Sequence, residues 1–193
     1  DSKISRGILQ NALNAETIEQ NISNRSQLVK LNEDTFALGY LEKGSLSFDF
    51  YDKELNKVNQ LETAFKRVSD FAAIINKDKV NLFTIADKNI RKSVLDMKSL
   101  ERIGQDIRID TADFMKLKDG YLVYGNDSSL GLVYPDGKTY IYKINEKVID
   151  ADIYINDQGV KIVFATKQDM QTQLKYTEFL DGNFSSSRNL ISL

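Results

Sequence analysis

Asn156-Asp157-Gln158-Gly159-Val160-Lys161-Ile162-Val163-Phe164-Ala165 is a polar turn that runs into a dense apolar segment, and the chain writes this figure four times. The other copies begin Asn32-Glu33-Asp34-Thr35-Phe36, Asn76-Lys77-Asp78-Lys79-Val80 and Lys118-Asp119-Gly120-Tyr121. Their aspartates, Asp34, Asp78, Asp119 and Asp157, stand 44, 41 and 38 residues apart. A second turn keeps step with the first. Tyr51-Asp52-Lys53, Leu95-Asp96-Met97, Tyr134-Pro135-Asp136-Gly137 and Phe179-Leu180-Asp181-Gly182 space their aspartates by 44, 40 and 45. Asp suits such turns because its side chain bonds local backbone, and Gly because it accepts positive φ. Two landmarks in step over four units predict a repeat of about 40 residues, the mark of stacked supersecondary units.

Between the landmarks the sequence reads as strand. Phe36-Ala37-Leu38-Gly39-Tyr40, Val80-Asn81-Leu82-Phe83-Thr84-Ile85, Tyr121-Leu122-Val123-Tyr124 and Val160 to Ala165 are nearly continuous apolar runs. Such runs suit strands covered on both faces. The segments that follow alternate: Leu46, Phe48 and Phe50 share one face, as do Tyr140, Tyr142 and Ile144. Alternation with aromatic enrichment predicts strands half-exposed to water. The reading is mainly β: four antiparallel units over residues 27–69, 70–111, 112–150 and 151–193, opening near Leu28, Phe71, Phe114 and Ile153. Leu38, Leu82, Val123 and Ile162 are expected at equivalent buried places in the second strands.

Units of this length and strand count resemble the blades of a β-propeller over residues 27–193. The size is similar to that of hemopexin-like four-bladed propellers, and Asp150-Ala151-Asp152 and Asp110-Thr111-Ala112-Asp113 resemble the Asp-Ala that opens such blades. The Trp-rich strands and closing disulfide of that family are missing, since the chain has no Trp and no Cys. Its metal and partner biology is therefore not carried over. The Gly-His and Trp-Asp signatures of WD repeats are missing too. A β-sandwich or an irregular meander remains the alternative architecture, because turn signals recur there as well.

Residues 1–26 differ in character. Ile4, Ile8, Leu9, Ala12 and Leu13 fall at helical spacing, and Ile18 and Ile22 continue the stripe after a slip near Asn14. The expectation is a short helical segment whose apolar stripe packs on the β-array. Asp1 is an unusual natural start, which raises the expectation of a preceding signal or anchor segment.

Composition excludes much chemistry. With no His and no Cys among 193 residues, the chain lacks the usual general base, the thiol nucleophile and the commonest zinc ligands. No Ser-x-x-Lys or Gly-x-Ser-x-Gly motif occurs, and the reading is that of a non-enzyme with no cofactor. A net charge of −2 from 26 basic and 28 acidic residues gives no nucleic-acid footprint. No apolar stretch is long enough to span a membrane.

Aspartates recur just before the first strand of a unit. Asp70, Asp113 and Asp152 would then be candidates for a weakly held hard cation, although no segment completes a calcium loop. A lone Asp before a strand more often satisfies local backbone. Tyr40, Tyr124, Asn126 and Asp127 are candidates for a binding surface, Tyr because it is amphipathic and favoured at interfaces and sugar platforms. Tyr121, Tyr134, Tyr140 and Tyr142 suit packing between units equally well, and Lys88, Arg91 and Lys92 read as a solvated basic run.

The functional expectation is a non-catalytic protein-binding or scaffolding module. The composition, rich in Asn, Lys and Asp and free of Cys, points to the extracytoplasmic side or surface of a bacterial cell, with the cytoplasm as the alternative. A glycan-binding or glycan-cleaving surface protein, and part of a larger propeller, are the rival readings.

Overall fold

The computed structural model of the protein describes residues 2–4, 20–22, 26–99 and 101–192. Every regular element among them is a β-strand. Strands β1 (Ser2–Ile4) and β2 (Gln20–Ile22) pair antiparallel, with Ser2 opposite Ile22 and Ile4 opposite Gln20. Ile4 and Ile22, expected in the helical segment, therefore stand in strands, where β-branched side chains are well accommodated. The rest of that expected segment, Ile8, Leu9, Ala12, Leu13 and Ile18 included, lies outside the described residues.

Four larger antiparallel sheets follow in chain order. The first joins β3 (Ser26–Lys30), β4 (Thr35–Glu42), β5 (Ser45–Asp52) and β6 (Lys57–Glu62). The second joins β7 (Val68–Asn76), β8 (Lys79–Ala86), β9 (Asn89–Asp96) and β10 (Ile107–Thr111). The third joins β11 (Phe114–Lys118), β12 (Tyr121–Gly125), β13 (Ser129–Val133) and β14 (Thr139–Lys143). The fourth joins β15 (Lys147–Asn156), β16 (Gly159–Gln168), β17 (Gln171–Leu180) and β18 (Asn183–Phe184), and β19 (Arg188–Ser192) also pairs with β17. Leu28, Phe71, Phe114 and Ile153 all lie in the first strand of a sheet.

Each sheet packs on the one before it through its first strand. β7 lies against β3 and β4, β11 against β7, and β15 against β11, β12 and β13. One apolar core runs through sheets one to three, from Val29 and Phe48 through Leu82 and Phe83 to Leu122 and Tyr124. A second core fills the space between sheets three and four with Val123, Leu132, Val148, Ile162 and Phe164. Close approach needs missing side chains. A Cβ on Gly39 would stand 2.7 Å from the Phe48 ring and 2.8 Å from the Phe71 ring, so Gly39 admits the second sheet to the first.

The faces are not all where the sequence places them. Leu38, Leu82, Val123 and Ile162 are all buried. Leu82 and Leu122 share the core of sheets one to three, whereas Val123 belongs to the core shared with sheet four. The position in step with Leu82 is thus Leu122. A slip of one residue turns a side chain to the other face because the strand period is two.

Candidate protein-binding face

In each of the first three sheets the hairpin between the second and third strands lies at the same end as the connection to the next sheet. The same backbone tie recurs there three times. The N–H of Val68 donates to Gly44 O at 2.9 Å, that of Ala112 to Lys88 O at 2.8 Å, and that of Val148 to Asn126 O at 2.9 Å. All three donors belong to buried residues, so each tie satisfies an N–H that would otherwise be costly. The hairpins of sheets one to three are thereby fixed to their neighbours and form a rigid rim.

Charged side chains lace this rim across sheets two, three and four. Lys88 Nζ lies 3.4 Å from Asp113, Lys147 Nζ lies 3.3 Å from the same carboxylate, and Lys147 also reaches Asp127 at 3.0 Å. The hydrogen bond from Lys147 holds the Asp127 carboxyl below its usual range, and Asp127 raises Lys147 in return. At the junction of sheets one and two the exposed Lys43, Lys66 and Arg67 add positive charge, with Lys66 donating to Ser45 Oγ at 3.1 Å.

Asn126 builds the third hairpin rather than facing a partner. Its Oδ1 accepts from the N–H of Ser128 and of Ser129, both at 2.8 Å, and its Nδ2 donates to Thr111 O at 2.8 Å. Tyr40 and Tyr124 are buried, and neither presents its ring at the surface. Tyr40 Oη donates to Asp49 at 3.3 Å, and burial first, then the Asp49 charge, raises its pKa. Tyr124 lies across Gly131, whose Cβ would stand 1.9 Å from the ring, and burial pushes its pKa well up. Of the four surface candidates Asp127 alone is exposed, with 71% of its side chain accessible.

The cation candidates are each engaged locally. Asp70 is buried and its Oδ1 accepts from Phe71 N–H at 2.9 Å. Asp152 Oδ1 accepts from Ile153 N–H at 2.8 Å and lies 3.8 Å from Lys118 Nζ. Asp113 stands between Lys88 and Lys147. Among the described residues no group of three acidic side chains gathers for a metal. Asp70 and Asp150 share one device: each follows a register shift in the first strand of its sheet, where its carboxylate takes up the next N–H.

The tyrosines that would suit a sugar platform pack between sheets. Tyr134 stands edge-on to Tyr121 at 4.8 Å and to Tyr140 at 5.5 Å, and Tyr140 lies 4.6 Å from buried Phe179. Two networks are absent from the sequence reading. One is the Lys88–Asp113–Lys147–Asp127 chain. The other joins Glu146 to Lys175, which is nearly buried, and to the Thr166 hydroxyl at 2.5 Å. The signal for the second is parity: Lys175 shares the covered side of β17 with Thr177 and Phe179. The first spans three sheets and leaves no local signal.

No protein-family model and no curated protein matches the chain. Solved structures of β-propeller proteins do match it in fold. Kluyveromyces lactis Hsv2 superposes with a TM-score of 0.56 at 12% identity, covering 90% of this chain and 53% of Hsv2. BBS1N, solved in complex with ARL6DN, gives 0.57 at 8% identity, covering 91% and 58%. A post-proline cleaving enzyme from Rickettsia typhi gives 0.50 at 13% identity, covering 91% and 33%. The chain thus spans about half the length of Hsv2 and a third of the peptidase. At these identities the likeness establishes a propeller-like fold.

Proposed function

We propose that this chain is a non-catalytic protein-binding module whose partner engages the hairpin rim. The observation that carries the reading is the rim itself. Three equivalent backbone ties hold the hairpins of sheets one to three, while Lys43, Lys88 and Asp127 stand exposed on them. Rigid scaffolds with exposed, charged loop tips are where recognition is built, because the partner need not order them. The fold neighbour BBS1N, solved with ARL6DN, supports a protein partner. The sugar-platform tyrosines are occupied in packing, and the chain has no His or Cys for a triad. An extracytoplasmic setting is part of the proposal, on the Asn-, Lys- and Asp-rich composition.

Site-specific photocrosslinking in the native cell tests this. A crosslinker replacing Lys88 or Asp127 is expected to trap a discrete protein adduct, and one replacing Asp34 or Asp157, at the opposite end of the strands, is not. Adducts that form equally well from both ends would overturn the rim as the contact surface. Turnover of a prolyl peptide by the purified chain would overturn the non-catalytic reading.

A further inference from the structure

Among the described residues, the outward face of the fourth sheet is partly exposed where the outward face of the first sheet is buried. Along β16, Val160, Ile162 and Phe164 are buried against sheet three, and the residues between them face away. The outward side carries an apolar centre with a charged border. Val163 is 36% exposed, and beside it in register stand Tyr176 on β17 and Asp152 on β15. The row closes with Arg188 on β19, opposite Tyr176. The row therefore reads acidic, aliphatic, aromatic, basic across four strands. The next row pairs Lys161 with Glu178 on the two central strands.

These rows are self-complementary. A twofold axis parallel to the strands, lying between two such faces, reverses the strand order of the second copy. It sets Asp152 of one copy across from Arg188 of the other, and Lys161 across from Glu178. It also sets Val163 on Tyr176. Each contact is made twice, as an isologous interface requires. The arrangement has an apolar middle and a charged rim, the anatomy of a protein interface, and aligned sheets pack face to face at about 10 Å. The corresponding outward face of the first sheet cannot serve, because Leu38, Tyr40 and Tyr51 there are already buried and β2 packs against β4.

We propose that the outward face of the fourth sheet is a homodimer interface, taking a second copy of this chain through a twofold axis parallel to β16 and β17. The inference does not depend on the hairpin rim or its partner. In the dimer the Lys161–Glu178 pair, 3.7 Å apart within one chain, gains counterparts from the other copy.

Sedimentation of the purified 193-residue chain over roughly 1 µM to 1 mM tests it. The mass is expected to rise with concentration from 22.0 kDa toward twice that value. Asp152→Arg and Arg188→Asp are each expected to weaken association about tenfold or more, since each sets like charges face to face. The double variant D152R/R188D is expected to restore association, because the twofold swaps both partners together. Both side chains are exposed, and the Asp152–Lys118 contact at 3.8 Å is a surface pair of little worth, so the circular dichroism of each variant should match the parent. A chain that stays monomeric throughout would overturn the proposal, as it would if the face instead took a sheet from a different polypeptide. A dimer indifferent to both single swaps, or one that the double swap fails to restore, would overturn it too.

Discussion

Strands β8 and β16 occupy the same place in the second and fourth sheets, yet they are buried differently. From Val80 to Ile85 every residue of β8 is buried, because sheet one covers one face and sheet three the other. From Val160 to Ala165 burial alternates with partial or full exposure, because sheet three covers one face only. Both segments read in sequence as unbroken apolar runs, the pattern of strands covered twice. The difference teaches that an apolar run reports what a strand can bury, and the neighbouring sheet decides what it does bury. In β16 the surplus hydrophobicity, Val163 above all, is left facing outward.

The comparison predicts adjacent substitutions of unequal cost, and the largest effects belong to β8. Phe83→Ala is expected to cost about 3–5 kcal/mol and Leu82→Ala about 2–5 kcal/mol, because both side chains are fully buried although they point to opposite faces. Urea denaturation midpoints measure this. A silent Leu82 or a silent Phe83 would show that one face of the second sheet is open and would break the contrast with the fourth.

A smaller effect is expected from the ion pair on the covered side of β17. Glu146 accepts from Lys175 and from the Thr166 hydroxyl. Glu146→Gln is expected to cost about 3 kcal/mol, since it leaves the Lys175 ammonium nearly buried without its counter-charge. The Lys175 hydrogen bond, then that of Thr166, lowers the Glu146 pKa in the folded chain. A depressed folded pKa contributes stability that is complete above the unfolded value of about 4.3. That contribution is lost as pH falls through the lower folded value. Stability of the parent should therefore decline as pH drops below about 4.3, and E146Q should show a shallower decline. Parallel pH profiles of the two proteins would refute the assignment.

Between these sheets Tyr124 offers a change of opposite sign. Its hydroxyl is buried and, among the described residues, has no hydrogen-bond partner. An unsatisfied buried hydroxyl costs about 1–3 kcal/mol, so Tyr124→Phe is expected to raise stability by about 1 kcal/mol. A loss of stability on that substitution would reveal a partner for the hydroxyl.

The repeat was legible because its turns need particular chemistry. Asp34, Asp78, Asp119 and Asp157 recur where the first hairpin of each sheet reverses, and Asp119 takes the left-handed conformation with φ of 50°. Strand existence followed from the apolar runs, and the face of Val123 did not, because the third sheet keeps a shorter count and one residue changes the side. Tyr124 carried a readable clue. Gly131 in mid-strand marks a place where another group comes close, and the Tyr124 ring fills it. Asn126 and Asp127 read in sequence as binding-surface candidates, yet their partners Thr111 and Lys147 lie in other sheets. Such pairings are set by how sheets stack, which no local pattern encodes. The same holds for the N-terminal segment: Ile4 and Ile22 suit a helical stripe, and the pairing of β1 with β2 is a long-range choice.

The smallest effect sharpens the comparison most directly. Ile162 and Val163 are neighbours in β16, one fully buried and one 36% exposed. Thr is close to Val in shape and also favours strands, so the substitution tests burial with little change in backbone preference. Ile162→Thr places a hydroxyl against the core shared with sheet three and removes buried methylene, which is expected to cost about 2–4 kcal/mol. Val163→Thr is expected to change stability by less than about 0.5 kcal/mol at protein concentrations low enough to keep the chain monomeric. Thermal or urea unfolding of the two variants side by side decides the matter. Comparable losses would mean that something covers the outward face of the fourth sheet within a single chain, and the contrast with β8 would disappear.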